Sequence, residues 1–217
     1  MIRAVVFDCD GVLVDSEPHS WAAWRTAAAH HGHTLTDGDV AACTGMSYAD
    51  THAHLASLVG GALPGPEALL PELLSALESS YAAGLRRFDD AVGAVAELAF
   101  EGVPLAVASS SVRARLDLTL AAADLGRYFD VTVAGDEVAA GKPAPDVYLR
   151  AAELLGADPR NCVAVEDSGP GAAAALAAGM RVIGVARNAD HAGRLVEVGA
   201  GVVGGVDAPT IRLLLGI

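Results

Sequence analysis

Asp8 and Asp10 close the apolar run AVVF, with Gly11 directly after them and Asp15 a short way on. Burying a carboxylate beside a strand is costly unless something holds its charge, so the pairing calls for a reason. Three later apolar runs end in polar residues as well: Ser109, Ser110 and Ser111 in ASSS, Lys142 in GKPAP, and Glu166 and Asp167 in EDSGPG. If the four clusters meet, carboxylates, a lysine and hydroxyls share one crevice. So dense a carboxylate group stays ionised only beside a cation, and a carboxylate, carbonyl and water donor set suits Mg2+. A metal would screen the acidic protein from a phosphate and leave one carboxylate free to attack it. The second Asp would protonate the leaving oxygen and later activate water.

The elements that must position these residues alternate in type. Apolar, β-branched runs at Ile2–Phe7, Val103–Ala108, Val131–Ala134, Cys162–Val165 and Arg181–Val185, with a weaker one at Gly201–Val203, read as buried strands. Helical patterns lie between them at Ala91–Phe100, Val112–Ala122, Asp146–Leu155 and Gly171–Ala178. Such alternation predicts an α/β fold, a doubly wound parallel sheet with helices on both faces, and ligands then bind beyond the carboxyl ends of the strands. The stretch 16–87 breaks the rhythm. It shows only helical patterns, near Ser20–His31, Ala49–Leu58 and Glu67–Ala83, and predicts an inserted α-helical cap hinged near Asp15–Pro18 and Gly84–Asp89. The core then comprises residues 1–15 and 88–217, and the cap residues 16–87.

Of the 217 residues, 27 are acidic and 14 are Lys or Arg, a formal net charge of −13. That balance gives no electrostatic reason to bind nucleic acid or an anionic membrane. No apolar run reaches spanning length, and the expectation is a soluble, cytoplasmic protein, a monomer with a dimer left open. Cys9, Cys43 and Cys162 have no metal-ligand spacing and read as reduced, buried thiols.

The segments DCDGVLVDS, ASSS, GKPAPDVY and VEDSGPG resemble, in order, the four motifs of the haloacid dehalogenase (HAD) superfamily. The match falls in the branch with a helical cap after the first motif, which includes β-phosphoglucomutase-like proteins and sugar phosphatases. The resemblance implies a Rossmann-like core with Asp8 as nucleophile and Asp10 as general acid/base. It implies Mg2+ on the Asp8 carboxylate, the Asp10 carbonyl and Asp167, with Glu166 a direct or water-bridged ligand. Ser109 and Lys142 match phosphate-binding positions, with the Ser110 N–H a helper. Asp10 also separates the chain from the dehalogenases, which lack an acid there.

Within the cap, His19 at the hinge and Thr44, Gly45 and Tyr48 in the loop CTGMSYAD are the candidates for reading substrate. Trp21, Trp24 and Tyr48 are exceptions in an otherwise aromatic-poor cap, which points to a small phosphorylated metabolite such as a sugar or polyol phosphate. The alternative is a β-phosphoglucomutase-like mutase, which must hold a second phosphate with cationic side chains. Between Ser16 and Gly84 the only such residue is Arg25. Tyr48 stands where mutase relatives carry arginine, Ser20 where they carry histidine, and Arg113 replaces their asparagine. These departures favour a phosphatase. A phospho-receiver would share the acidic strand ends but has no use for a cap or for an acid two residues after its phosphorylated Asp.

Overall fold

The computed structural model describes residues 3–187 and 189–217. In chain order the elements are β1 (Ala4–Phe7), α1 (Glu17–His30), α2 (Asp37–Ala41), α3 (Tyr48–Leu58), α4 (Pro66–Ala82), α5 (Asp89–Phe100), β2 (Leu105–Ala108), α6 (Arg113–Ala122), β3 (Val131–Val133), α7 (Asp146–Leu154), β4 (Cys162–Glu166), α8 (Gly169–Ala177), β5 (Arg181–Val185), α9 (Ala189–Glu197), β6 (Gly201–Val203) and α10 (Ala208–Leu215). Ile2, expected at the start of the first strand, lies outside the described residues.

The six strands form one parallel sheet in the order β3-β2-β1-β4-β5-β6. β1 sits centrally, with Phe7 opposite Val107 on one side and Val165 on the other. The strand order reverses between β1 and β4, so the crevice at the switch point opens beside Asp8. Alternate residues of β1 serve opposite faces. Val5 and Phe7 pack into the layer with Leu98, Leu116 and Ile211, while Ala4 and Val6 pack with Val147, Tyr148 and Ala172. Burial of both faces explains why the strands read as continuous apolar runs.

Helices α1 to α4 form a strandless unit with its own core, including Trp24, Leu55, Leu69, Leu73, Leu77 and Tyr81. The two connections to the sheet run side by side. Val14 bridges Arg87 antiparallel, the Asp15 N–H donates to Arg86 O at 2.9 Å, and Arg86 pairs with the Asp15 carboxylate at 3.3 Å. Asp15 therefore ties the paired hinges together. Further out the cap meets the core at α6, where the Tyr81 hydroxyl lies 3.2 Å from Thr119 Oγ1 and Leu118 packs against the cap core. Among the described residues no helix is long and apolar enough to cross a membrane.

Candidate active site

The end of β1 turns sharply. The Asp8 N–H still continues the sheet to Val165 O at 2.9 Å, and the chain then folds back so that the Gly11 N–H donates to Val14 O at 2.8 Å. Gly11 has φ +83°, which side chains disfavour, and a Cβ there would run into the Asp167 carboxylate. Only glycine lets the first loop approach the fourth so closely.

Lys142, the only lysine in the chain, bridges two acids. Its Nζ lies 2.6 Å from Asp8 Oδ1 and 2.6 Å from Glu166 Oε1, with the lysine side chain 3% exposed. The ammonium also lies 4.9 Å from the centroid of the Tyr148 ring. Glu166 is itself saturated: Oε1 further accepts from the Tyr148 hydroxyl at 3.1 Å, and Oε2 accepts from Ser168 N–H and Oγ at 2.8 and 2.9 Å. Through these bonds Glu166 orients Lys142 and the start of α8.

A Cβ at Gly171 would run into that same carboxylate. Gly171→Ala is therefore expected to cost about 1–3 kcal/mol by overpacking, measured by urea unfolding. An unchanged midpoint would show that Glu166 relocates freely.

Asp10 lies in a different setting. Its Oδ1 accepts from Ser16 Oγ and, at 3.2 Å, from Arg115 Nη2, and its Oδ2 accepts from Ser111 Oγ at 3.0 Å. Burial pushes the Asp10 carboxyl up, but Arg115 and the two hydroxyls more than offset this and leave it below its ordinary value. Asp8 moves the other way. Desolvation dominates, Lys142 opposes it, and the like charges of Glu166 and Asp10 add to it, raising Asp8 from 3.8 to about 8. Asp167 is pushed well above its ordinary range by burial and then by Glu166 and Asp8. Two carboxylates two residues apart thus differ in proton affinity because one has an arginine and hydroxyls while the other shares one lysine with Glu166.

A cavity of about 180 Å³ joins these residues to the cap. Its core side includes Asp8, Asp10, Ser110, Ser111, Arg115, Lys142 and Asp167, and its cap side includes Trp21, Trp24, Thr44, Gly45, Tyr48 and the α4 leucines. Of the residues singled out from sequence, His19 and Ser109 lie elsewhere. His19 Nδ1 is 2.7 Å from Ser80 Oγ and its ring meets Tyr81 edge-on, so it joins α1 to α4. Ser109 is fully buried, and its Oγ accepts from the Ser111 N–H at 3.1 Å, shaping the loop beneath the cavity. Arg113 turns to Glu137 at 2.6 Å and Asp117 at 3.0 Å.

Arg115 is the residue that sequence reading missed. It follows the serine cluster on the first turn of α6, and its guanidinium and the Ser111 hydroxyl both reach Asp10. Burial pushes the Cys9 thiol well above its ordinary value, and all three cysteines are free and buried.

Residues 2–179 match the hydrolase family described as haloacid dehalogenase-like hydrolase. The chain is 33% identical over 217 residues to a phosphorylated carbohydrates phosphatase of Thermotoga maritima, covering 92% of each. It is 34% identical over 200 residues to hexitol phosphatase A of Escherichia coli, covering 90% of this chain and 88% of that one. Its fold is similar to that of β-phosphoglucomutase from Clostridium difficile, with TM-score 0.82, 20% identity and coverage of 100% and 98%, a likeness of fold alone. With the family match spanning β1 to β4, the inserted cap and all four polar strand ends, the chain belongs to the haloacid dehalogenase-like hydrolases.

Proposed function

We propose that the chain is a Mg2+-dependent phosphatase that takes the phosphoryl group of a small phosphomonoester onto Asp8 and releases it to water. One observation carries the reading: Asp8, Asp10, Lys142 and Asp167 come from three separate strand-end loops and line one cavity. The phosphatase names of the relatives support phosphorylated sugars and polyols as the substrate class.

The residues fit a divalent cation. Burial raises both Asp8 and Asp167, and the one lysine beside them does not restore their ordinary values. Such a donor set suits an ion that takes one or two carboxylates and completes its shell with water and substrate oxygens. The carboxylates of Asp8 and Asp167 and the backbone carbonyl of Asp10 would hold it. When bound, Mg2+ supplies the positive charge that keeps Asp8 ionised and draws in phosphate oxygens.

In the first half-reaction an Asp8 oxygen attacks phosphorus, the ester P–O bond breaks, and the leaving oxygen takes a proton from Asp10. In the second, Asp10 accepts a proton from water, the water oxygen attacks phosphorus, and the bond to Asp8 breaks to free inorganic phosphate. Lys142 and the Ser110–Ser111 loop bind the phosphoryl oxygens. Arg115 is a positioning residue. With Ser16 and Ser111 it holds Asp10 ionised, the form that activates water, and its bond must open before Asp10 can carry a proton to the leaving group.

A mutase needs cationic side chains in the cap for a second phosphate. The cap's Arg25 pairs instead with Asp37, and Tyr48 presents an aromatic ring.

Phosphate release from a panel of phosphomonoesters tests the reading: release with Mg2+, abolished by EDTA, is expected, and interconversion of sugar phosphates without release would overturn it. The metal also has a stability signature. A carboxyl raised in the fold stabilises it fully below its unfolded value of 3.8, and that contribution is lost as pH climbs through about 8. Mg2+ is therefore expected to raise Tm by several degrees near pH 8 and by less near pH 5. Equal shifts at both, read by calorimetry, would count against Asp8 as a ligand.

A further inference from the structure

Arg187 follows β5, with β4 between that strand and β1, yet its side chain reaches the first loop. Its Nε donates to Gly11 O at 3.4 Å and its Nη2 to Val12 O at 3.1 Å. Nη1 donates to Asp90 Oδ2 at 2.8 Å, in the first turn of α5. The same Asp90 oxygen accepts from the Val206 N–H at 2.8 Å, shortly before α10. Burial pushes the Asp90 carboxyl up, but Arg187 and backbone N–H groups outweigh it and hold the group below its ordinary value. The guanidinium carbon lies 4.0 Å from the centroid of the Phe88 ring, a cation–π contact. With its side chain 17% exposed, Arg187 is built into the packing.

The two carbonyls belong to the turn that carries Asp10. Inside that turn the Leu13 and Val14 N–H groups donate to Cys9 O and the Gly11 N–H to Val14 O. Those bonds shape the turn but do not fix where it stands against the sheet. Phe88 lies on the second cap connection, and its N–H donates to Leu13 O at 3.0 Å. One side chain therefore grips the Asp10 turn and the returning hinge, and anchors both through Asp90. A planar fork of donors can hold two carbonyls and a carboxylate at once, which a single ammonium cannot.

We infer that Arg187 is a positioning residue, which sets the stand of the Gly11–Val12 turn so that Asp10 meets the leaving oxygen in register. This rests on the phosphatase reading and adds a residue to its machinery. Arg187 is not among the described residues that line the cavity, so it acts through the turn. A reacting group misplaced by about 1 Å costs up to about a hundredfold in rate.

The test compares kcat/KM for two esters at saturating Mg2+. Sorbitol 6-phosphate releases an alcohol whose oxygen needs the proton from Asp10, whereas p-nitrophenyl phosphate releases a phenolate that does not. Arg187→Met keeps the stem over Phe88 and removes every donor. It is expected to lower the sorbitol value about ten- to a hundredfold and the nitrophenyl value by less than about threefold. Equal losses on both esters, or none on either, overturn the inference, because a residue that serves the fold alone lowers both alike. If the Met variant does not fold, Arg187→Lys carries the same comparison with a smaller loss, since it keeps the charge beside Asp90 but not the fork. Where the wild-type chain does not turn over both esters, hydrogen exchange decides, and hydrolysis of neither sinks the phosphatase reading separately. Residues 9–14 should then exchange at least about tenfold faster in the variant, with β4 within about threefold of wild type. Unchanged exchange in the turn overturns the inference.

Discussion

Asp8→Asn is expected to lower phosphate release at least about 10⁴-fold, with a cooperative melt retained. A neutral amide is a poor nucleophile toward phosphorus, and removing a nucleophile that forms the covalent intermediate costs losses of that order. The fold tolerates the change because the amide oxygen can still accept from Lys142, and because one carboxyl raised to about 8 by burial is no longer confined there. Phosphate release by the purified variant, followed with a coupled assay at saturating Mg2+, decides it. Activity above about one per cent of wild type would move the nucleophile to another residue.

The second large effect is expected at Lys142. Its Nζ sits between Asp8 and Glu166 at 2.6 Å from each, almost sealed from solvent. Lys142→Met leaves two buried carboxylates without their shared cation, and breaking such a pair costs about 3–5 kcal/mol. Turnover should fall as well, by about 10²–10³, because a fixed positive charge near the phosphoryl oxygens is lost. The two losses separate in the double variant Lys142→Met, Glu166→Gln. Removing the orphaned charge should recover part of the unfolding free energy in urea and none of the turnover. Full recovery of activity would mean that Lys142 serves the fold alone.

Much of this arrangement was legible in the residues. Strands in a sheet covered on both faces are uniformly apolar, so each ends where a polar cluster begins, and Asp8, Lys142 and Asp167 could be placed on one edge from their positions alone. Side-chain direction was less legible. His19 looked well placed at the hinge, yet Glu17, Trp21 and Trp24 define the face of α1 toward the cavity, and position 19 falls off that stripe toward α4. Helix α2, Asp37–Ala41, is too short to show a period and is declared only by its Thr36 capping box. Arg115 was invisible because nothing local marks an arginine as the partner of an aspartate 105 residues earlier. The cap aromatics looked sparse along the chain, whereas Trp24 and Tyr48 stack and concentrate that small number at one wall.

A chain with a single ε-amine, and that one closed off at 3% exposure, carries its own reporter. An acylating reagent in excess can modify Lys142 only after the loop that bears it parts from the sheet edge. The labelling rate then reads the frequency of that excursion, and mass spectrometry can count it at one defined atom without any introduced probe.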